Sequence, residues 1–269
     1  EKSRNTQLNI INDPAFRTLM VVTIKKKSVR ENGFETLNAA LRGYNKSITN
    51  IVSNHNGRIV EEKSNTYLMS FDSVTYAIKS ALKIRELHNC VITPDLEFKI
   101  GISAGIPVTK KEGIFEDTIK RAGNLALIAK EKVSISNEVK ELYESENQNN
   151  AIPNEIKFLN VQEEKFVVQL MEYTEEIWSQ SNMTVSDFQN NLGYSKSKLY
   201  RTMMSIIGKS PNSFLKDYRL NEALRLLDKQ NSNISEIAYK TGFSSPAYFS
   251  KCFQERYGML PSKYMKQIA

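Results

Sequence analysis

The sequence has few of the residues that mark secreted, membrane-spanning or metal-binding proteins. Its 269 residues include two cysteines and two histidines. Two cysteines are too few for a disulfide framework, and they fit a reducing compartment. The longest unbroken apolar run, Leu125–Ala129, is far shorter than the roughly 18 residues that a membrane-spanning helix needs. We therefore expect a soluble, cytoplasmic protein with no membrane partner.

Histidine placement and composition narrow the protein class further. His55 and His88 have no cysteine or carboxylate partners at metal-ligand spacing, so we predict no metal site. Apolar residues make up 40% and charged residues 25% of the chain, which excludes a disordered or collagen-like protein. The length of 269 residues predicts two domains, at about 150 residues per domain.

Positive charge is concentrated in the last third of the chain. The net charge is +7, and residues 174–269 carry 13 basic and 8 acidic residues, a net charge of +5. Residues 1–173 therefore hold only the remaining +2. Concentrated basic charge favours a polyanionic partner, whereas an even spread would indicate little.

Strand-like and helix-like segments alternate up to residue 173, and the pattern is entirely helical afterwards. We predict an α+β protein, with a mixed sheet covered by helices followed by an all-α domain. Predicted strands are 19–24, 58–60, 67–71, 98–106, 133–136, 156–159 and 166–173, the last two forming a closing hairpin; predicted helices are 34–52, 77–87 and 116–131, with a loop at 144–150. The predicted organisation is a lead-in at 1–15, the sheet domain at 16–173, a linker at 174–182 and the helical domain at 183–269.

An internal repeat with an offset of 50 residues lies in the helical part. Identical residues recur as Ser195 and Ser245, Gly208 and Gly258, and Pro211 and Pro261. Two copies at a fixed offset indicate one structural unit used twice.

Each copy has the pattern of a short helix, a turn with glycine and a second helix. Gly193 and Gly242 are placed to end the first helices, and Ser195 and Ser245 are placed to cap the second ones. This is the plan of a helix-turn-helix. Residues 214–227 have the amphipathic pattern of a long helix that joins the two units.

The second helix of a helix-turn-helix reads DNA with exposed residues near its N-terminus. Arginine and lysine donate to guanine, while alanine and the proline ring contact thymine methyl groups. The predicted DNA-binding residues are Lys196, Ser197, Tyr200 and Arg201 in the first copy, and Pro246, Ala247, Ser250 and Lys251 in the second. Lys198, Lys209 and Lys263 are predicted phosphate neighbours. The alternative is a helical interaction module whose polar faces are only solvated.

The helical part resembles the AraC/XylS family of transcription regulators over residues 180–269. The resemblance is carried by Ile234-Ser235-Glu236-Ile237-Ala238, Gly242-Phe243, Tyr248-Phe249, Phe253, Gly258, Pro261 and Tyr264. It implies double-stranded DNA as the partner, with two recognition helices in successive major-groove segments on one face. The first copy departs from the family pattern at Gln189, where a small residue is usual, and at Met203, where an aromatic residue is usual.

Residues 16–173 resemble the catalytic domain of class III nucleotide cyclases. The matching segments are Asn56-Gly57-Arg58-Ile59-Val60, Met69-Ser70-Phe71, Lys99-Ile100-Gly101-Ile102-Ser103-Ala104-Gly105 and Asp117-Thr118-Ile119. The family uses two aspartates to hold Mg²⁺, and Thr23 and Asn65 stand at those positions. Its other functional positions carry Glu61, Lys120 and Asn124 instead of the usual lysine, asparagine and arginine. Neutral side chains have little attraction for Mg²⁺, so we predict no catalytic residue and no cofactor.

These patterns together predict a sequence-specific transcription regulator that is not an enzyme. The cyclase-like domain is expected to form a homodimer, to sense a small-molecule effector, or both. Two alternatives remain at this stage: an active nucleotide cyclase with a DNA-binding tail, and a switch that binds nucleotide without turnover.

Overall fold

The computed structural model describes residues 16–26, 34–63, 65–90, 96–106, 115–129, 132–148, 151–230 and 232–268, with the backbone alone at 34–38, 88–90 and 268. The predicted lead-in at 1–15 lies outside these residues. Contacts divide the chain into two units. The first takes its described residues from Glu1–Lys25 and Asn38–Glu164, and the second from Lys26–Leu37 and Lys165–Ala269.

The first unit contains a mixed sheet with the strand order β2-β3-β1-β4-β5-β6. The strands are β1 (Arg17–Lys26), β2 (Arg58–Lys63), β3 (Thr66–Phe71), β4 (Leu96–Gly105), β5 (Val133–Ile135) and β6 (Ile156–Phe158). Strand β3 pairs antiparallel with β1 and β2, whereas β5 pairs parallel with β4 and β6. The predicted α+β class, with a sheet domain before an all-helical one, is confirmed.

Helices alternate with strands of this sheet along most of the first unit. They are α1 (Phe34–Asn54), α2 (Val74–Cys90), α3 (Glu116–Ile128), α4 (Asn137–Glu146) and the start of α5 (Val161–Ile177). Leu19 and Val21 of β1 share a buried cluster with Ala122 and Ala126 of α3. A β-carbon at Gly101 would overlap the backbone of α3, so this glycine allows the helix to lie directly on β4.

The predicted closing hairpin at 156–159 and 166–173 is wrong. Residues 156–158 do form β6, but this strand pairs parallel with β5, and residues 166–173 lie inside α5. Apolar and aromatic residues there resemble a strand locally. The missed signal is the pair Asn160 and Glu163, because Asn160 Oδ1 accepts from the Glu163 amide at 3.0 Å while the Glu163 carboxylate accepts from the Asn160 amide at 3.0 Å. This reciprocal arrangement is a capping box, which begins a helix.

The predicted loop at 144–150 also begins too early, because α4 continues to Glu146. The Ser136 side chain caps this helix by accepting from the Val139 amide, and Val139 and Tyr143 are its buried residues. Their spacing of four residues is helical, although most of the segment is polar.

From Lys165 onward, the described residues of the second unit form helices joined by turns, with no strand. It comprises the remainder of α5, then α6 (Val185–Leu192), α7 (Lys196–Ile206), α8 (Pro211–Asp228), α9 (Ile234–Lys240), α10 (Pro246–Tyr257) and α11 (Pro261–Ile268). The division between units falls inside α5, between Glu164 and Lys165, whereas the sequence predicted a linker over 174–182. In the described part of the chain, no helix is both long and apolar enough to cross a membrane.

Candidate nucleic-acid interface

The first repeat copy is built from α6 and α7. Thr184 and Asp187 form the capping box that begins α6, and Thr184 lowers the pKa of Asp187 through side-chain and backbone hydrogen bonds. Helix α6 ends at Gly193, which has φ of 67°, a conformation that favours glycine. The Ser195 side chain then accepts from the Lys198 amide to cap α7.

Aromatic residues of α5 pack against this first copy. The Phe166 ring lies 5.4 Å from the Tyr194 ring, and the Tyr173 ring lies 5.4 Å from the Phe188 ring in an edge-to-face arrangement. Burial beside acidic groups raises the pKa of Tyr173. Residues that the sequence analysis assigned to a strand therefore complete the core of the helix-turn-helix.

The second copy repeats the same local chemistry. The Asn233 side chain caps α9 by accepting from the Glu236 amide at 2.9 Å, and the Ser245 side chain caps α10 by accepting from the Tyr248 amide at 3.2 Å. Gly242 has φ of 75° in the turn between them. Its core is the aromatic cluster of Phe243, Phe249, Phe253, Tyr257 and Tyr264 with residues of α8.

Residues related by the 50-residue offset in the sequence occupy equivalent positions in the two copies. Ser195 and Ser245 are both N-caps, Gly208 and Gly258 both have positive φ, and Pro211 and Pro261 both begin helices. Helix α8 is the predicted long helix that joins the two repeat copies. The repeat is thus a repeat of three helices, because α11 follows α10 as α8 follows α7.

The structure brings the predicted DNA-binding residues together in two groups, one on α7 and one on α10. In α7 the side chains of Lys196, Ser197, Tyr200 and Arg201 are all exposed. In α10 Ala247 and Lys251 are exposed, while Pro246 and Ser250 are partly exposed. The spacing within each group places its members on one helix face, while Leu199 and Met203 in the first copy and Phe249 and Phe253 in the second are buried. The hydroxyl of the half-exposed Tyr200 can donate or accept a hydrogen bond.

The predicted phosphate neighbours have different environments. Lys198 Nζ lies 4.4 Å from the centre of the Tyr194 ring, a cation–π contact that leaves its charge unneutralised. Lys209 Nζ lies 2.5 Å from Asp217 Oδ2, so this lysine has a carboxylate partner within the protein. The side chain of Lys263 is exposed. Lys209 would have to break this ion pair in order to bind a phosphate.

Hydrogen bonds join the end of α5 to α8 beside the turn that contains Gly242. The Arg219 guanidinium donates to the carbonyl of Trp178 at 2.7 Å and to that of Gln180 at 2.5 Å. Burial lowers the pKa of Arg219. A β-carbon at Gly242 would lie 2.6 Å from the Trp178 carbonyl oxygen and 2.9 Å from Arg219 Nε. Sequence reasoning identified Gly242 as a helix end but missed this close approach.

In the first unit, the two positions that would hold Mg²⁺ in a cyclase are neighbours. Thr23 pairs with Thr66 across β1 and β3, and the hydroxyl oxygens of these threonines are 3.3 Å apart. The Ile24 amide donates to the Asn65 carbonyl at 2.9 Å. Asn65 has φ of 61°, a conformation that asparagine tolerates. Thr23 and Asn65 can offer only neutral oxygen atoms to a cation.

The other positions aligned with cyclase residues lie on β2 and α3, and the exposed Lys120 is one helical turn before Asn124 on α3. Glu61 is exposed on β2, and Asn124 is buried in α3 with its Nδ2 atom unbonded among the described residues. Near Asn124 along α3, Arg121 pairs with Glu138 at 3.0 Å. His55 Nδ1 lies 2.8 Å from the Ile51 carbonyl oxygen, and the side chain of His88 lies outside the described residues. Within the described residues, no three His, Cys, Asp or Glu side chains are grouped so that they could hold a metal.

Comparison with known proteins gives the second unit its class. Residues 189–267 match the family model described as a helix-turn-helix domain. A curated relative, histidine kinase P4 of Formosa agariphila, is 32% identical over 46% of this chain and 9% of its own length. Another, the HTH-type transcriptional regulator YisR of Bacillus subtilis, is 28% identical over 60% of this chain and 61% of its own length. This chain therefore spans less than two thirds of either relative.

A solved adenylate/guanylate cyclase/hydrolase from Silicibacter pomeroyi is 20% identical, with a TM-score of 0.42, and the match covers 51% of this chain and 83% of that one. The C-terminal region, residues 189–267, is a helix-turn-helix domain, as the sequence predicted.

Proposed function

We propose that the protein is a transcription regulator that binds double-stranded DNA in a sequence-specific way. The observation that carries this proposal is the repeated presentation of polar side chains near the N-termini of α7 and α10. Both helices are begun by a serine cap and held by a buried face, so each presents its exposed face on a rigid support. A helix presented in this way can enter the major groove.

The direct contacts would come from both copies. Arg201 and Lys251 occupy equivalent positions and would donate to guanine or to phosphate, while Ala247 would contact a thymine methyl group. The first copy offers two cationic residues, Lys196 and Arg201, and the second offers Lys251. The first copy would therefore contribute more hydrogen bonds to bases or phosphates.

The first unit would serve regulation and not catalysis. Thr23 and Asn65 supply neutral oxygen atoms where cyclase chemistry needs two carboxylates, and Asn124 is too deeply buried to reach a substrate. A cyclase-like unit without these groups would still form a homodimer or bind a small-molecule effector. Homodimers would place two helix-turn-helix domains on one DNA, which increases the effective concentration of the second domain.

DNA selection with the full chain tests the main proposal. Fragments of genomic DNA are enriched by binding, and the dissociation constants of enriched and scrambled fragments are compared by fluorescence anisotropy over a salt series. A specific regulator should prefer its site by about 10³-fold or more at physiological salt. Equal affinity for both fragments at every salt concentration would contradict sequence-specific binding.

The role of the first unit has separate tests. Sedimentation velocity over a concentration series should show a reversible monomer–dimer equilibrium if this unit forms a homodimer. A panel of nucleotides should raise the melting temperature if one of them is the effector, because a ligand that binds only the folded state stabilises it. A monomer at all concentrations that also responds to no ligand would contradict both roles.

A further inference from the structure

A cleft of about 470 Å³ lies in the second unit, beside the first half of α8 and the start of α10. The hydroxyl-bearing and cationic side chains used in the proposal are those of Ser210, Ser213, Lys216, Arg219, Ser244 and Tyr248, which line the cleft. They provide hydroxyl groups and two cationic side chains. None of the described residues that line the cleft is acidic.

The two cationic groups are available for an anion. Arg219 is held by the carbonyl oxygens of Trp178 and Gln180, which fix its position but do not neutralise its charge. Lys216 is partly exposed at the cleft and has no carboxylate partner among the described residues. The Ser213 amide at the start of α8 already donates to the Ser210 side chain at 3.3 Å. The positive charge of the cleft therefore comes from the cationic side chains and not from this helix end.

Cations beside several hydroxyl donors suit a phosphate group, which accepts many charge-assisted hydrogen bonds. The cleft also has a suitable position for DNA. Tyr248 follows Ala247 on α10, Ser244 lies in the turn just before α10, and Ser210 lies after α7. The lining of the cleft therefore joins the segment after α7 to the start of α10.

We propose that the cleft binds a backbone phosphate of the DNA between the segments contacted by α7 and α10, with Lys216 as its main cationic contact. This inference rests on the proposed DNA-binding function. It assigns a role to Lys216, which lies outside both recognition helices. Because a backbone phosphate carries no base identity, the cleft should add affinity equally for every DNA sequence.

Salt dependence of DNA binding by the full chain tests the assignment. Each neutralised phosphate contributes about 0.9 to the slope of log affinity against log salt. Lys216→Gln should therefore reduce that slope by about 0.9, for enriched and scrambled fragments alike. Between about 50 and about 200 mM salt, the wild type should lose about 3.5-fold more affinity than the variant.

Lys229→Gln is the matched control, because Lys229 is an exposed lysine just after the other end of α8. It should keep the wild-type slope, and Lys216→Arg should keep it too because the charge is retained. If Lys216→Gln lowers the melting temperature, Lys216→Arg and Ser244→Asp provide the comparison: the first should bind as the wild type and the second more weakly at low salt.

An unchanged slope for Lys216→Gln would overturn the assignment while leaving sequence preference, and so the proposed function, intact. If the wild type shows no sequence preference but Lys216→Gln still reduces the slope on scrambled DNA, the proposed function fails and the phosphate site stands. A third outcome is an unchanged slope together with a melting temperature that inorganic phosphate raises only when Lys216 is present. That outcome would assign the cleft to a free phosphorylated ligand and would overturn the DNA contact.

Discussion

Substitution of Gly242 by alanine should destabilise the second unit far more than the same change at Gly193. These glycines occupy equivalent turns in the two copies, with φ of 75° and 67°. Alanine in this left-handed conformation costs about 1 to 2 kcal/mol, partly offset because alanine reduces the entropy of the unfolded chain by about 0.4 to 1 kcal/mol. That balance, a net cost of about 1 kcal/mol, applies at both positions.

The surroundings of the two glycines differ. A β-carbon at Gly193 would meet no atom within 4 Å, whereas at Gly242 it would lie 2.6 Å from the Trp178 carbonyl oxygen and 2.9 Å from Arg219 Nε. Those two atoms are hydrogen-bonded to each other at 2.7 Å. Overpacking costs about 1 to 3 kcal/mol, and a weakened hydrogen bond to a charged group costs about 1.5 to 3 kcal/mol. We expect Gly242→Ala to cost about 3.5 to 7 kcal/mol in total.

Urea unfolding followed by tryptophan fluorescence measures this difference. Trp178 is the single tryptophan of the chain and lies at the contact itself, so its emission reports on the second unit. Gly193→Ala is the matched control, because it has the same chemistry and the same backbone conformation without the close approach. Free energies of unfolding that fall equally for both variants, within about 0.5 kcal/mol, would refute the close packing of the end of α5, α8 and the turn that contains Gly242.

Three further outcomes are expected. Arg201→Ala and Lys251→Ala should each cost about 1 to 3 kcal/mol of binding and relax specificity if they contact bases, while a uniform loss across sequences in anisotropy titrations would indicate phosphate contact. Burial raises the pKa of Glu164 to about 7, so the free energy of unfolding should fall as pH rises from about 4.5 to about 7. Glu164→Gln should remove this dependence and stabilise the protein at pH 8 by about 1 to 2 kcal/mol after solvent screening. Urea unfolding of the wild type and the variant at pH 5 and 8 measures this, and an equal change in their free energies of unfolding between the two pH values would contradict the prediction. Incubation with ATP or GTP and Mg²⁺ or Mn²⁺ should yield no cyclic nucleotide above background, and product that depended on Thr23 and Asn65 would favour the enzyme.

The sign of the Glu164 effect follows from its surroundings. Its carboxylate accepts from the Asn137 amide at 2.5 Å, which favours the charged form, but desolvation is the larger effect and Glu138 adds repulsion. Arg121 opposes that repulsion only in part. The folded protein therefore binds the proton more tightly than the unfolded chain, and deprotonation costs stability.

Local sequence signals predicted most of the second unit. Ser195 and Ser245 were predicted as caps, and Gly193 and Gly242 as helix ends, because each residue has a conformational or hydrogen-bonding property that acts within one helical turn. The repeat then doubled every such signal. The exposed faces of α7 and α10 followed from helical spacing alone.

Long-range packing was less accessible from the sequence. Residues 166–173 contain adjacent valines and aromatic residues, which favour a strand when they are considered alone. Their helical state depends on the capping box at Asn160 and on burial against the first copy. Likewise, the contact of Gly242 with the end of α5 joins residues more than 60 positions apart, and no local pattern reports it.

The two copies reach the same arrangement with different core residues. The second copy contains a continuous aromatic cluster, in which Phe253 is fully buried and lies 5.9 Å from the Tyr264 ring. The first copy has Met203 at the position equivalent to Phe253. It also has the partly buried Gln189 where the second copy has the fully buried Ala238.

Helix α5 supplies the aromatic surface that the first copy lacks. Phe166 and Tyr173 contact Tyr194 and Phe188, and aromatic pairs of this kind stabilise by about 0.5 to 1.5 kcal/mol beyond their area burial. The matched family model begins at residue 189, but the packing that holds the first copy begins at Lys165. The helix-turn-helix unit of this chain therefore includes the second part of α5, because Phe166 and Tyr173 complete the aromatic packing of the first copy.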